Sequence, residues 1–155
     1  MDPAEIESLV CRLDTKDSRT GEDAWGQLQH LGDAVVPFLL AAYPHARTWQ
    51  GRTSLVFHSI RHARTSEAAF QLGVMALGDR SYMVRYRACG LLAYSLRREA
   101  LPPLLPLASH ADPRTAEDAA AAIDAIEHSN HNYFVDRSHT GRSFWTVNDT
   151  DQQRP

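Results

Sequence analysis

The chain repeats itself, and that limits its folds more than any other feature. Asp33-Ala34-Val35-Val36-Pro37-Phe38-Leu39-Leu40-Ala41-Ala42 lines up with Glu99-Ala100-Leu101-Pro102-Pro103-Leu104-Leu105-Pro106-Leu107-Ala108 at an offset of 66, two units of 33. Glu67-Ala68-Ala69 matches Glu99-Ala100-Leu101 at an offset of 32, and Val84, Ala88 and Leu92 match Thr115, Ala119 and Ile123 at 31. A period in this range, carried by helical patterns, belongs to stacked helix pairs. Each pair has an apolar face that it cannot bury alone, and the next pair covers it. Small residues at Ala88 and Ala119 let helices approach, while Leu92 and Ile123 fill the space between layers.

Start and stop signals divide the chain into eight helices. Asp2, Pro3 and Glu5 spell an N-cap, a first-turn proline and a capping box. Ile6, Leu9, Val10 and Leu13 then form one stripe at helical spacing. Thr20 is the expected cap of a second helix that Gly32 ends, Asp33 of a third and Ser66 of a fifth; a fourth runs from about Thr48 to His62, a sixth from about Ser81 to Leu96, and Asp112-Pro113 starts an eighth. A seventh runs from Arg98 to Ser109. Connections of two to six residues make successive helices antiparallel neighbours. Beyond residue 132, Tyr133-Phe134-Val135 and Phe144-Trp145-Thr146-Val147 flank a polar turn and predict a C-terminal hairpin or extended tail. That tail would cap the last repeat, and Asn148 to Pro155 is expected to be disordered.

Asp79-Arg80-Ser81-Tyr82-Met83-Val84-Arg85-Tyr86-Arg87-Ala88, followed by Leu92, resembles the HEAT repeat signature: an Asp turn, then Val-Arg, a small residue and Leu. Asp112-Pro113-Arg114 with Ala119, Ala122 and Ile123 resembles the opening of the next repeat, departing from it where Ala116 stands for the Arg. The resemblance covers about residues 20–128. It implies an all-α fold: an α-solenoid of about 3.5 HEAT-like helix pairs with an extra N-terminal helix, of the short bacterial type. In that family the Asp and Arg form a ladder between repeats, a role that falls here to Asp79 and Arg85 and is open at Asp112. The domain expected is residues 1–130, with residues 131–155 as its tail.

Charge is segregated along this frame. Residues 1–33 carry net −5, residues 47–98 net +7 and residues 99–127 net −5. The basic band and its aromatics supply the candidate partner-binding residues: Arg47, Trp49, Arg52, His58, Arg61, His62, Arg64, Tyr82, Arg87 and Tyr94. Trp, Tyr and Arg are the residue types that dominate interface energetics. A cationic patch would attract a protein with an acidic surface, or alternatively nucleic acid, although an overall charge of −3 and a single Lys among 16 basic residues argue against the latter.

Other chemistry finds little footing. His58 and His62 share a helix face at metal-binding spacing but lack a third ligand. Asp136-x-Ser138-x-Thr140-Gly141 opens like a calcium loop, yet Val147 occupies the position of the bidentate Glu. An enzyme of the HEAT-like type would need a reactive thiol, for which Cys89 is the candidate. No cofactor and no catalytic constellation are expected. An acidic N-terminus without an apolar run reads as cytoplasmic. The expectation is a non-catalytic protein-binding scaffold, in the manner of an inhibitor, immunity or assembly factor.

Overall fold

The computed structural model describes residues 1–152, which are helical and contain no strand. The eight α-helices are α1 (Pro3–Cys11), α2 (Ser18–Leu28), α3 (Val36–Ala42), α4 (Trp49–Ser59), α5 (Glu67–Ala76), α6 (Tyr82–Ser95), α7 (Leu101–Leu104) and α8 (Pro113–Glu127). Short 3-10 turns extend several of them. Local chemistry sets most starts. Asp2 accepts from the Glu5 amide at 2.9 Å while the Glu5 carboxylate accepts from the Asp2 amide at 3.3 Å. Thr48, Ser66 and Asp112 cap α4, α5 and α8 through their side-chain oxygens.

Two caps differ from expectation. Asp17, not Thr20, caps α2: its carboxylate accepts from the Arg19 amide at 3.3 Å and from the Thr20 hydroxyl at 2.6 Å, so the helix begins earlier. Asp33 does not cap α3. The backbone turns through Gly32 at φ 60°, where only a residue without Cβ is unstrained, and continues as a 3-10 turn to Val35. The Asp33 carboxylate instead accepts from the Thr65 hydroxyl at 3.1 Å and meets His62 Nδ1 at 2.5 Å.

Packing follows a two-row order. Helix α3 lies against α1 and α5, and α6 lies against both α4 and α8. The rows join through α3 on α4, α5 on α6, and α7 with its following turn on α8. Leu28, Val36, Leu39, Val56, Leu72, Leu91, Leu104 and Ile126 are fully buried between them. Each such side chain contributes on the order of 1.5–3 kcal/mol by leaving water. Of the repeat positions, Val84, Ala88, Leu92 and Ala119 are fully buried and Ile123 is half-buried. Gly73 makes the α5–α6 approach possible, since a Cβ there would lie 2.6 Å from Leu91 Cδ2.

The tail is not a hairpin. His131–Phe134 is a 3-10 turn, and residues 142–146 are irregular chain. The backbone groups that a strand ladder would use are taken by side chains. Asn132 Oδ1 accepts from the Trp145 amide at 2.8 Å, and His131 Nε2 lies 2.8 Å from the Trp145 carbonyl. Asp136 accepts from the amides of Thr140 and Gly141. Phe134 enters the common core, and Trp145 and Val147 pack against it. Asn148–Asp151 is not disordered either, because Asp151 is buried and its carboxylate accepts from the Tyr94 hydroxyl at 2.7 Å. The rest of that expected disordered stretch, residues 153–155, lies outside the described residues.

An arginine in α4 ties that helix to the loop before α6, and another in α6 ties it to the loop before α8. Arg52 Nε donates to Asp79 Oδ2 at 2.8 Å, and Arg52 Nη1 donates to the Ala46 carbonyl at 3.5 Å. Arg85 repeats both contacts one unit further along the chain, with Nη2 on Asp112 Oδ2 at 3.3 Å and Nη1 on the Asp79 carbonyl at 2.9 Å. Arg85 Nε adds a bond to the buried Thr115 hydroxyl at 2.9 Å. Burial alone would raise the Asp79 pKa, but hydrogen bonds from Arg52, Tyr43 and the Ser81 amide hold it below the usual carboxylate range. A carboxylate with a lowered pKa contributes stability above its unfolded value and loses it as pH falls through the folded value.

Removing one member of a buried pair strands the other charge. Asp79→Ala is therefore expected to cost about 3 kcal/mol in urea unfolding, and Arg52→Met with Asp79→Leu to restore most of it. The double variant should also flatten the fall of stability below the carboxylate range. A single-variant loss under about 1 kcal/mol would mark the pair as an ordinary surface contact.

Candidate functional site

The basic band does not form one patch. Arg52 and Arg85 are consumed by the pairs just described. His62 is buried against Asp33. Arg64 donates Nε to the Tyr94 carbonyl at 2.7 Å, lies 4.0 Å above the Tyr94 ring and faces Asp151 at 3.6 Å. Tyr94 is itself buried under the tail. Tyr82 is half-buried beneath Arg114, at 3.9 Å. Arg47, Trp49 and Arg61 are exposed near the two ends of α4, with the Arg47 amide bound to Asp14 at 2.7 Å. Of the ten candidates, His58 and Arg87 share a groove.

That groove lies between α2 and α4 and encloses about 520 Å³. Helix α6 packs directly on α4 and on α8, whereas α2 meets α4 through a ring stack. Trp25 and His58 lie 3.9 Å apart at 13°. Gly21, Glu22 and Trp25 form one wall, and Gln50, Thr53, Phe57 and His58 the other. Arg87 and residues 16–18 also line it. Burial against Trp25, together with the nearby Arg61 charge, pushes the His58 pKa down to about 4, so the ring is neutral at pH 7. Gln50 Oε1, Thr53 Oγ1 and Arg87 Nε are buried and have no hydrogen-bond partner among the described residues.

A chain of rings and guanidinium groups crosses the same face. Arg137 lies over Phe134 at 5.1 Å, Phe134 stacks on Tyr86 at 5.8 Å, and Arg87 sits 5.3 Å from Tyr86 and 4.8 Å from Phe57. Phe57 meets His58 edge-on at 5.3 Å, and His58 meets Trp25. The tail occupies the α6 part of this face. Gly90 makes room for it: a Cβ there would come within 3.3 Å of Phe134 and 3.5 Å of Trp145. Phe57 holds the equivalent place in α4, one repeat unit before Gly90, and is 48% exposed. One helix carries an open aromatic where its neighbour carries a glycine covered by aromatics.

Sequence reasoning missed Trp25, Phe57, Gln50 and Thr53 as groove residues. Phe57 carried a signal, since it falls off the stripe of Leu55, Val56, Ser59 and Ile60. The remaining motifs resolve into local structure. His58 and His62 face different partners. The Asp136 carboxylate is filled by Thr140 and Gly141. Cys89 is fully buried, and burial with the nearby Asp118 charge pushes its thiol up to about 12, far from a reactive thiolate.

No family model matches the chain, and no curated protein does either. No helix of the described residues is long and apolar enough to cross a membrane.

The His58 imidazole is expected to titrate near pH 4 by NMR, and Trp25→Ala to move the midpoint up toward the free-histidine value of about 6.5. A wild-type midpoint near the free value would show that Trp25 does not cover the ring.

Proposed function

We propose that this chain is a non-catalytic scaffold that binds one partner protein in the groove between α2 and α4. The framework is read as an α-solenoid of about three and a half HEAT-like helix pairs. The repeated Arg52–Asp79 and Arg85–Asp112 pairs support that reading, as does the packing of α6 between α4 and α8. An inhibitor, immunity or assembly factor of the cytoplasm fits such a scaffold, and two unpaired cysteines agree with a reducing compartment.

One observation carries the assignment of the face. Four buried side-chain polar atoms lack a hydrogen-bond partner among the described residues, and three of them belong to residues that line this groove. Each such atom costs roughly 1–3 kcal/mol when left unpaired. Their collection beside an exposed Phe57 is what a surface completed by a partner would show.

A protein partner is favoured over nucleic acid by the state of the arginines. Arg52, Arg64, Arg85, Arg97 and Arg114 already hold carboxylates, and Asp17 and Glu22 stand beside Lys16 on the groove. A phosphate backbone needs a continuous cationic track.

The test is affinity capture with the wild-type chain and with Phe57→Asp, using lysate of the organism that encodes it, with and without nuclease. A protein recovered in both wild-type samples and lost with Phe57→Asp is the expected result. Recovery that depends on nucleic acid, or that ignores Phe57→Asp, would overturn the assignment.

A further inference from the structure

Five guanidinium groups among the described residues lie over aromatic rings. Arg64 over Tyr94 also faces Asp151, and Arg97 over Phe70 holds Glu67 and Glu99. Arg114 over Tyr82 holds Asp112, and Arg137 over Phe134 holds Asp118 at 3.0 Å. The fifth, Arg87, lies 4.8 Å from the Phe57 ring and 5.3 Å from the Tyr86 ring and pairs with no carboxylate of the described residues. Its Nε is buried and unbonded. A stacked guanidinium has its plane fixed, which prepares it for two parallel bonds to a carboxylate.

The tail shows what this face accepts. It crosses α6 as irregular chain, lays Trp145 over Gly90, and six residues later delivers Asp151 to Tyr94 and Arg64. The docked unit is an aromatic side chain followed by a carboxylate that meets an arginine stacked on a ring. The α2–α4 groove offers the same receptors, an open aromatic surface at Phe57 and Trp25 and a stacked arginine without its anion.

We infer that the groove receives an extended segment of the partner protein, which presents a carboxylate to Arg87 and an aromatic side chain to Phe57 and Trp25. The inference rests on the reading of the groove as a protein-binding surface and adds the chemistry of the bound segment. A second copy's tail is the alternative occupant. It would leave its own α6 uncovered, which costs what it gains.

The probe is a phage-displayed library of random dodecapeptides panned on the full chain. Enriched peptides should share an aromatic residue and an Asp or Glu a few positions apart. Arg87→Gln should weaken the best peptide roughly tenfold or more, Arg87→Lys less so because it keeps the charge and loses the fork. Changing the peptide's acid to its amide should cost the same in the wild-type chain and nothing further in Arg87→Gln, the coupling expected of a direct pair. Melting curves of each variant check that the fold is kept. Enrichment without an acid, an amide change that costs equally in both backgrounds, or no enriched binder at all would overturn the inference. A dimer in size-exclusion chromatography that Trp145→Ala dissolves would do so in favour of the second copy. If a captured partner still depends on Phe57 while no peptide binds, the protein-binding groove stands and the linear segment falls.

Discussion

A guanidinium taken out of water must find an anion and acceptors for its remaining N–H groups, or it does not stay buried. Arg52 and Arg85 meet that demand in one way. Each reaches back to a carbonyl six residues earlier and forward to an aspartate 27 residues later, in the loop that opens the next helix but one. Apolar stacking alone lets helices slide and rotate, because dispersion and burial are non-directional. The paired arginines remove that freedom, which fixes how α4, α6 and α8 stand and so which of their side chains look outward. Specificity, more than net stability, is what such pairs supply.

The outward face so fixed is covered over one part and open over the other. Over α6 and α8 the tail lies across it, with Phe134 in the core and Arg137 paired to Asp118. Burial raises the Asp118 pKa, and the Arg137 bond and the Tyr82 hydroxyl oppose it. Over α2 and α4 nothing lies across the face among the described residues. The difference traces to one position, glycine at 90 and phenylalanine at 57. A glycine admits foreign rings against the helix, while a phenylalanine supplies its own ring and leaves it 48% exposed.

The eight helices were legible because capping and apolar spacing are local. The α2 cap, Asp17 in place of Thr20, is a local exception; the others have tertiary causes. Asp33 has the composition of a cap, yet His62 and Thr65 claim its carboxylate from the turn that follows α4. The tail has β-prone residues, but Asn132, His131 and Asp136 supply the bonds that a partner strand would have made. The candidate site was legible only in part. Charge and residue type point to Arg87 and His58, but they point equally to Arg52, which is structural. Local sequence does not separate a buried arginine from an exposed one. The period does, since Arg52 and Arg85 stand one repeat unit apart. The groove itself comes from α2 standing off α4, a matter of packing that no single segment encodes.

If this chain meets its partner on the open α2–α4 face, and not on the opposite row of α1, α3 and α5, backbone amides will report it. Hydrogen–deuterium exchange of the chain alone and in its captured complex is the direct test. Slowed exchange confined to the α2 and α4 amides, with the Arg52–Asp79 region unchanged, is the predicted result. Protection on α1, α3 or α5 with α2 and α4 unaltered would contradict it.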